Sequence, residues 1–278
     1  MKNIVITGAS SGMGEALARF YAAPGANIGI VGRNAARLGA VAQVVESKGA
    51  SCTRGEVDVR DGAAVRNFVE DFDSRTPIDL LIVNAGIFDG RKAGQQVEDL
   101  ETSMRVLETN LSGALNTIHA ALPAMRKRGH GHIVLVSSLA GLTPIGGGLG
   151  YSAGKAALLS YGLGLKQLLW DEGVHVSVVC PGFVETPLAE RHLGWQPFRI
   201  TADQAAKKIA RGIAKRKAIV AFPLPLHIMT RTAILMPDFV RRVVGKVFSC
   251  HAGGDKGTGG AGQMPDSARV AIARGQEL

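Results

Sequence analysis

The sequence predicts an α/β fold, a doubly wound parallel sheet in a single domain with a basic C-terminal extension. Three observations carry that prediction. Apolar, β-rich runs alternate with helical patterns through the first two-thirds of the 278 residues, and such alternation implies a parallel sheet with helices on both faces. Several runs, such as Leu80-Leu81-Ile82-Val83 and Ile133-Val134-Leu135-Val136, are apolar without a break, as strands buried on both faces are. Glycine and polar residues gather just after the strands, where sheets of this kind bind ligands.

Taken in order, strands are expected at 3–7, 26–31, 51–57, 78–83, 132–137 and 174–180, and helices at 12–22, 34–48, 62–74, 97–128 and 151–171. Residues 181–201 contain Pro181, Gly182, Pro187, Gly194 and Pro197 and read as a loop with a short helix. A helix near 202–215 and a strand near 218–222 follow. The expected organisation is a Rossmann-like domain over 1–222, an apolar and basic extension over 223–248, and a flexible glycine-rich tail over 249–278.

Composition narrows the function classes. The chain is 46% hydrophobic and 20% charged, an ordinary globular mixture. Cys52, Cys180 and Cys250 are far apart and form no CxxC pair, so no disulfide framework or cysteine zinc site is expected. The N-terminus runs straight into a strand, leaving no room for a signal peptide, and no run of eighteen or more apolar residues occurs. A cytoplasmic protein is expected. The net charge is +9, and residues 207–246 hold ten basic residues against the single acid Asp238, a surplus equal to that of the whole chain. That field suits peripheral contact with an anionic membrane through 207–248; no nucleic-acid partner is expected. His130-Gly131-His132 has no Cys or carboxylate beside it, so it reads as a solvated turn and no metal site is expected.

Strand one ends in Thr7-Gly8-Ala9-Ser10-Ser11-Gly12-Met13-Gly14, and a helix follows at once. Glycines let the backbone approach a pyrophosphate closely, and the helix N-terminus offers free N–H groups and a positive dipole end. Further along come Asp58-Val59 after strand three, Asn84-Ala85-Gly86 after strand four, Asn110 in the long helix, Ser138 after strand five, Tyr151 with Lys155, and Pro181-Gly182 after strand six. Together, in this order, these motifs resemble the short-chain dehydrogenase/reductase family over about residues 3–222.

Strand two ends in Val31-Gly32-Arg33-Asn34, where an NAD enzyme usually carries an acid for the ribose 2′-hydroxyl. A guanidinium here can instead pair with a 2′-phosphate, and the pattern resembles the NADP(H)-preferring members of the family. NADP(H) is therefore the expected cofactor. The resemblance implies that Gly8, Ser10, Ser11, Gly12, Met13 and Gly14 cradle the phosphates, with Arg33 and Asn34 at the ribose phosphate. It implies Asp58 and Val59 at the adenine, Asn84-Ala85-Gly86 beside the ribose, and Pro181, Gly182, Val184 and Thr186 at the carboxamide. Tyr151 and Lys155 would also touch the cofactor.

Tyr151 and Lys155 stand four apart in a helix and so share a face. A free phenol, with a pKa of about 10, is a poor base at neutral pH; a nearby ammonium and an oxidised nicotinamide favour the phenolate. Tyr151 is then suited to general acid/base catalysis on a carbonyl or alcohol. Ser138, favoured over Ser137 by family spacing, would hydrogen-bond the substrate oxygen, and the resemblance assigns Asn110 a water in a proton relay from Lys155. The candidate catalytic set is thus Asn110, Ser138, Tyr151 and Lys155.

On the substrate side, Phe183, Leu188, Leu193, Trp195 and Phe198 hint at an apolar substrate, and Gly146-Gly147-Gly148 reads as a mobile pocket edge. The activity expected is hydride transfer between the nicotinamide and a small-molecule carbonyl or secondary alcohol. The alternatives are a non-catalytic NADPH-binding regulatory module and a nucleotide-sugar epimerase- or dehydratase-like enzyme. Family resemblance implies a homo-oligomer, dimer or tetramer, through the helices near 110–128 and 151–171.

Overall fold

The computed structural model describes residues 1–233, 235–237 and 250–253. Seven parallel strands form the central sheet: β1 (Asn3–Thr7), β2 (Asn27–Gly32), β3 (Ser51–Glu56), β4 (Leu80–Val83), β5 (Gly131–Val136), β6 (Val174–Pro181) and β10 (Ile219–Phe222). Their spatial order is β10-β6-β5-β4-β1-β2-β3. All seven stand where the sequence predicts strands. The chain winds outward in both directions from the β1/β4 junction, and this reversal opens the ligand-binding crevice of a doubly wound sheet.

The helices cover both faces. On one lie α1 (Gly12–Tyr21), α2 (Ala35–Ser47) and α8 (Ala202–Ala214), packed on Ile4, Ile6, Ile28 and Ile30. On the other lie α3 (Gly62–Arg75), α5 (Gly113–Arg128) and α6 (Leu149–Leu168), packed on Val5, Leu81, Ile133 and Leu135. The alternate residues of an inner strand thus serve two cores, which is why β4 is apolar throughout, whereas the edge strand β3 is largely polar and exposed.

The helix expected at 97–128 begins later and is not uniform. It runs as α4 (Leu100–Leu107), a π-helical turn at Glu108–Ser112, and α5. Asp99 caps its start by accepting from Thr102 N at 2.7 Å, so the preceding residues stay outside the helix. The helix expected at 151–171 starts at Leu149 and ends at Leu168.

Beyond β6 come β7 (Val184–Glu185), α7 (Pro187–Glu190), β8 (His192–Leu193), β9 (Ile200–Thr201) and α9 (Leu224–Ala233). From the segment expected to be a loose tail, His251–Ala252 forms β11 and pairs antiparallel with β8; residues 254–278 lie outside the described residues. Of the basic cluster, Lys207, Lys208 and Arg211 are exposed on α8, and Lys215, Arg216 and Lys217 follow it at the surface. Arg241, Arg242 and Lys246 lie outside the described residues. Among the described residues, no helix is long and apolar enough to cross a membrane.

His132 departs from the solvated turn expected for it. It is 1% exposed in β5, with Nε2 and Ser177 Oγ hydrogen-bonded at 2.9 Å. Burial, with His175 and Arg216 adding to it, lowers its pKa to about 4. The unfolded chain binds this proton near the ordinary value of about 6.5, so folding excludes it in between. Stability should fall by up to about 3 kcal/mol as pH drops through that window. Urea unfolding at about pH 7.5 and about pH 5 should show the loss, and His132→Gln should shrink it; a loss unchanged in the variant would refute the cause.

Candidate active site

The phosphate loop is held by hydrogen bonds between strand ends. Thr7 Oγ1 accepts from Asn84 N and Ala85 N, both at 3.1 Å, while Asn84 Nδ2 donates to Thr7 O at 3.0 Å and Gly8 O at 3.2 Å. Thr7, absent from the expected site residues, therefore positions two of its motifs. A Cβ on Gly14 would lie 2.3 Å from Gly8 O, so no other residue fits where α1 leaves the loop. Ser11 at the start of α1 makes no side-chain capping bond, unlike the capping residues of α2, α3 and α8. A tight glycine cradle against an uncapped helix start suits a pyrophosphate.

At the end of β2, Arg33 and Arg37 both line the cleft, and Asn34 caps α2 by accepting from Arg37 N at 2.9 Å. Arg37 lies one turn beyond Arg33 and escaped the sequence reading. Arg33 is 3.7 Å from Asp58. Hydrogen bonds from the Arg60 side chain hold the Asp58 carboxyl below the usual carboxylate range, Arg33 contributing less. Val59 is buried, and its carbonyl accepts from Asn116 Nδ2 at 3.0 Å. Two strongly basic side chains line the cleft here, each able to pair with an anionic group.

The reactive cluster forms where β5 and α6 meet. Lys155 is 4% exposed, donates from Nζ to Val136 O at 2.8 Å, and lies 5.7 Å from the Tyr151 ring centre. Burial lowers its pKa to about 8, Cys180 opposing. Burial also raises the Tyr151 pKa above the ordinary phenol value, with the Ser138 hydroxyl opposing the shift. Ser137 and Ser138 separate by role: Ser137 Oγ donates to Lys155 O at 2.6 Å and ties down α6, whereas Ser138 interacts with Tyr151. Asn110 is fully buried; Oδ1 accepts from Ile87 N at 2.7 Å and Nδ2 donates to Ile87 O at 2.9 Å. It sits within the π-helical turn, a widening frequent at functional sites. A Cβ on Gly86 would stand 3.1 Å from Asn110 Oδ1 and 3.4 Å from Lys155 Nζ, so all three residues converge.

Gly86, Ile87, Ser137, Ser138, Tyr151 and Lys155 border one cavity of about 1110 Å³. That is slightly more than the roughly 300–1,000 Å³ pocket of a single small ligand. Beyond Tyr151 the walls include Leu142, Ile145, Phe183, Leu188, Leu226 and Met229. Pro181, Gly182, Val184 and Thr186 line the same cavity, Thr186 capping α7 by accepting from Ala189 N at 3.2 Å. Leu193, Trp195 and Phe198 do not line it, and Gly147 packs against Cys250 instead of forming an edge. Phe88 and His192 lie in segments with no periodic signal, whereas the α9 residues Leu226 and Met229 belong to the apolar and basic extension expected over 223–248. Among the described residues, no group of three His, Cys, Asp or Glu side chains is placed to hold a metal.

A family model described as short chain dehydrogenase matches residues 2–196. An uncharacterized oxidoreductase of Myxococcus xanthus is 33% identical over 238 residues, 85% of this chain and 93% of that protein. The 3-dehydrosphinganine reductase TSC10B of Arabidopsis thaliana is 36% identical over 200 residues, 70% of this chain and 59% of that protein. The structure of L-sorbose reductase from Gluconobacter frateurii, complexed with NADPH and L-sorbose, matches with a TM-score of 0.69 at 25% identity. It covers 80% of this chain and 94% of that one.

Replacing Asn110 with Ala would leave the half-buried Ile87 N–H and C=O without their partners. The expected loss is about 2 kcal/mol, read from urea unfolding. An unchanged midpoint would show that the two bonds do not hold this corner.

Proposed function

The chain belongs to the short-chain dehydrogenase family of oxidoreductases, which work with nicotinamide cofactors, and from that premise we propose an NADP(H)-dependent enzyme that interconverts an apolar ketone and its secondary alcohol. The observation that carries this reading is that Ser138, Tyr151 and Lys155 line the cavity that the glycine cradle opens into, with Asn110 buried behind it and bonded to the lining residue Ile87. When bound, the nicotinamide supplies or accepts the hydride.

The chain's own residues handle the proton. Tyr151 gives its phenolic proton to the substrate oxygen during reduction and takes one back during oxidation. Ser138 hydrogen-bonds the same oxygen and steadies charge developing on it. In the free chain burial holds the Tyr151 pKa up, so cationic neighbours are needed to bring it toward neutrality, and Lys155 is one of them. Lys155 also holds the ribose hydroxyls. Asn110 completes the relay; since both ends of its amide are committed to Ile87, its main chain in the widened turn is the part left to hold a water. Gly8 to Gly14 take the pyrophosphate, Arg33 with Arg37 the 2′-phosphate, Asp58 and Val59 the adenine, and Pro181 to Thr186 the carboxamide.

The apolar walls favour a ketone with a long hydrocarbon part, in keeping with the similarity to a 3-dehydrosphinganine reductase. Assembly into a dimer or tetramer through α5 and α6, and contact with an anionic surface through the basic face of α8, complete the reading.

The kcat/KM ratio should favour NADPH over NADH at least about tenfold, and Arg33→Asp should erase that preference. A wild-type ratio favouring NADH would overturn the cofactor assignment. Tyr151→Phe should lower kcat by roughly a thousandfold while leaving NADPH binding, followed by fluorescence, nearly unchanged. Near-normal turnover would overturn the role of Tyr151.

A further inference from the structure

His192 lines the active-site cavity, and the proton chemistry above makes no use of it. It is 8% exposed, and neither Nδ1 nor Nε2 has a hydrogen-bond partner among the described residues. Buried polar atoms are nearly always bonded, so an imidazole with two bare nitrogens beside a ligand cavity points to a partner that arrives with the ligand. Two other hydroxyls that line the cavity already donate within the chain. Thr143 Oγ1 donates to Thr230 O at 2.8 Å, and Thr230 Oγ1 donates to His227 O at 3.0 Å.

The ring is also firmly placed. Its main chain pairs with Ala252 of β11, and its carbonyl accepts from Gln196 Nε2 at 2.7 Å. The imidazole packs against Phe183 with centres 5.2 Å apart and against Phe88 at 5.4 Å. Phe88 in turn meets the Tyr151 ring edge-on at 5.1 Å. His192 therefore stands two ring contacts from the proton-transferring phenol on one continuous wall. A side chain fixed by packing and strand pairing is suited to select among substrates.

We propose that His192 is a second polar anchor for the substrate, hydrogen-bonding a neutral hydroxyl or carbonyl carried a few bonds from the ketone that is reduced. The proposal rests on the ketone-reductase reading and narrows it, from any apolar ketone to one bearing a second oxygen function. Burial lowers the imidazole pKa, its own main chain opposing weakly. The ring is therefore neutral at physiological pH, one nitrogen donating and the other accepting. Such a group suits an uncharged oxygen rather than a carboxylate.

The test compares two ketones of equal acyl length with the full chain and saturating NADPH: 3-oxodecanoyl-N-acetylcysteamine, which carries a thioester carbonyl beside the ketone, and 3-decanone, which does not. His192→Phe keeps the aromatic packing and removes both nitrogens. It should lose at least tenfold in kcat/KM on the thioester, about 1.4 kcal/mol, and stay within about twofold on 3-decanone. His192→Asn, which restores a donor and an acceptor, should recover part of the loss. An equal loss on both ketones would assign His192 a structural role, and no loss on the thioester would remove it from recognition; either overturns the proposal. If the unaltered chain reduces neither ketone, the activity reading itself fails, and the anchor with it.

Discussion

The ammonium of Lys155 is buried, and the arrangement around it depends on keeping it there. A charge moved out of water is costly unless hydrogen-bonded, and here the carbonyl of Val136 at the end of β5 takes that bond at 2.8 Å. The approach is possible because Ser137 grips the main chain of α6 and Gly86 has no side chain to occupy the space. Asn110 then holds the Ile87 main chain beside it. One lysine thus fixes the spacing between β5, α6 and the turn after β4. Tyr151, one helical turn away, inherits its position from the same contacts.

Much of this was legible because it is local. Unbroken apolar runs such as β4 marked strands buried on both faces, and all seven expected strands formed. Tyr151 and Lys155 share a face whatever surrounds them, and Arg33 follows directly from the end of β2. Asn110 falls inside the long helix expected from the sequence, and there the helix widens into a π-turn and its amide bonds Ile87. The helix start at Leu100 rather than 97 reflects a cap by Asp99, a signal available in the sequence and passed over.

What escaped was set by contacts between distant residues. Thr7 works through bonds to residues 77 and 78 positions away. His132 was expected to open a strand, but its burial and its bond to Ser177 on β6 were not expected. The substrate wall depends on β11 reaching back to β8, a two-residue pairing with no periodic signature, and it brings His192 against Phe88 and Phe183. The half of the cleft around the glycine loop is thus a property of motifs, whereas the half around His192 and Phe88 is a property of the folded chain.

The central claim is that Tyr151 is the proton-transferring group and that positive charge beside it makes it one. The chain has three tyrosines, and burial raises the pKa of Tyr21, Tyr151 and Tyr161 alike in the free protein. Tyrosinate absorption titrated with and without NADP⁺ tests the claim most directly. The account predicts that NADP⁺ lets one tyrosine ionise at lower pH and that this component is missing in Tyr151→Phe. Titration curves that coincide with and without NADP⁺ would contradict it.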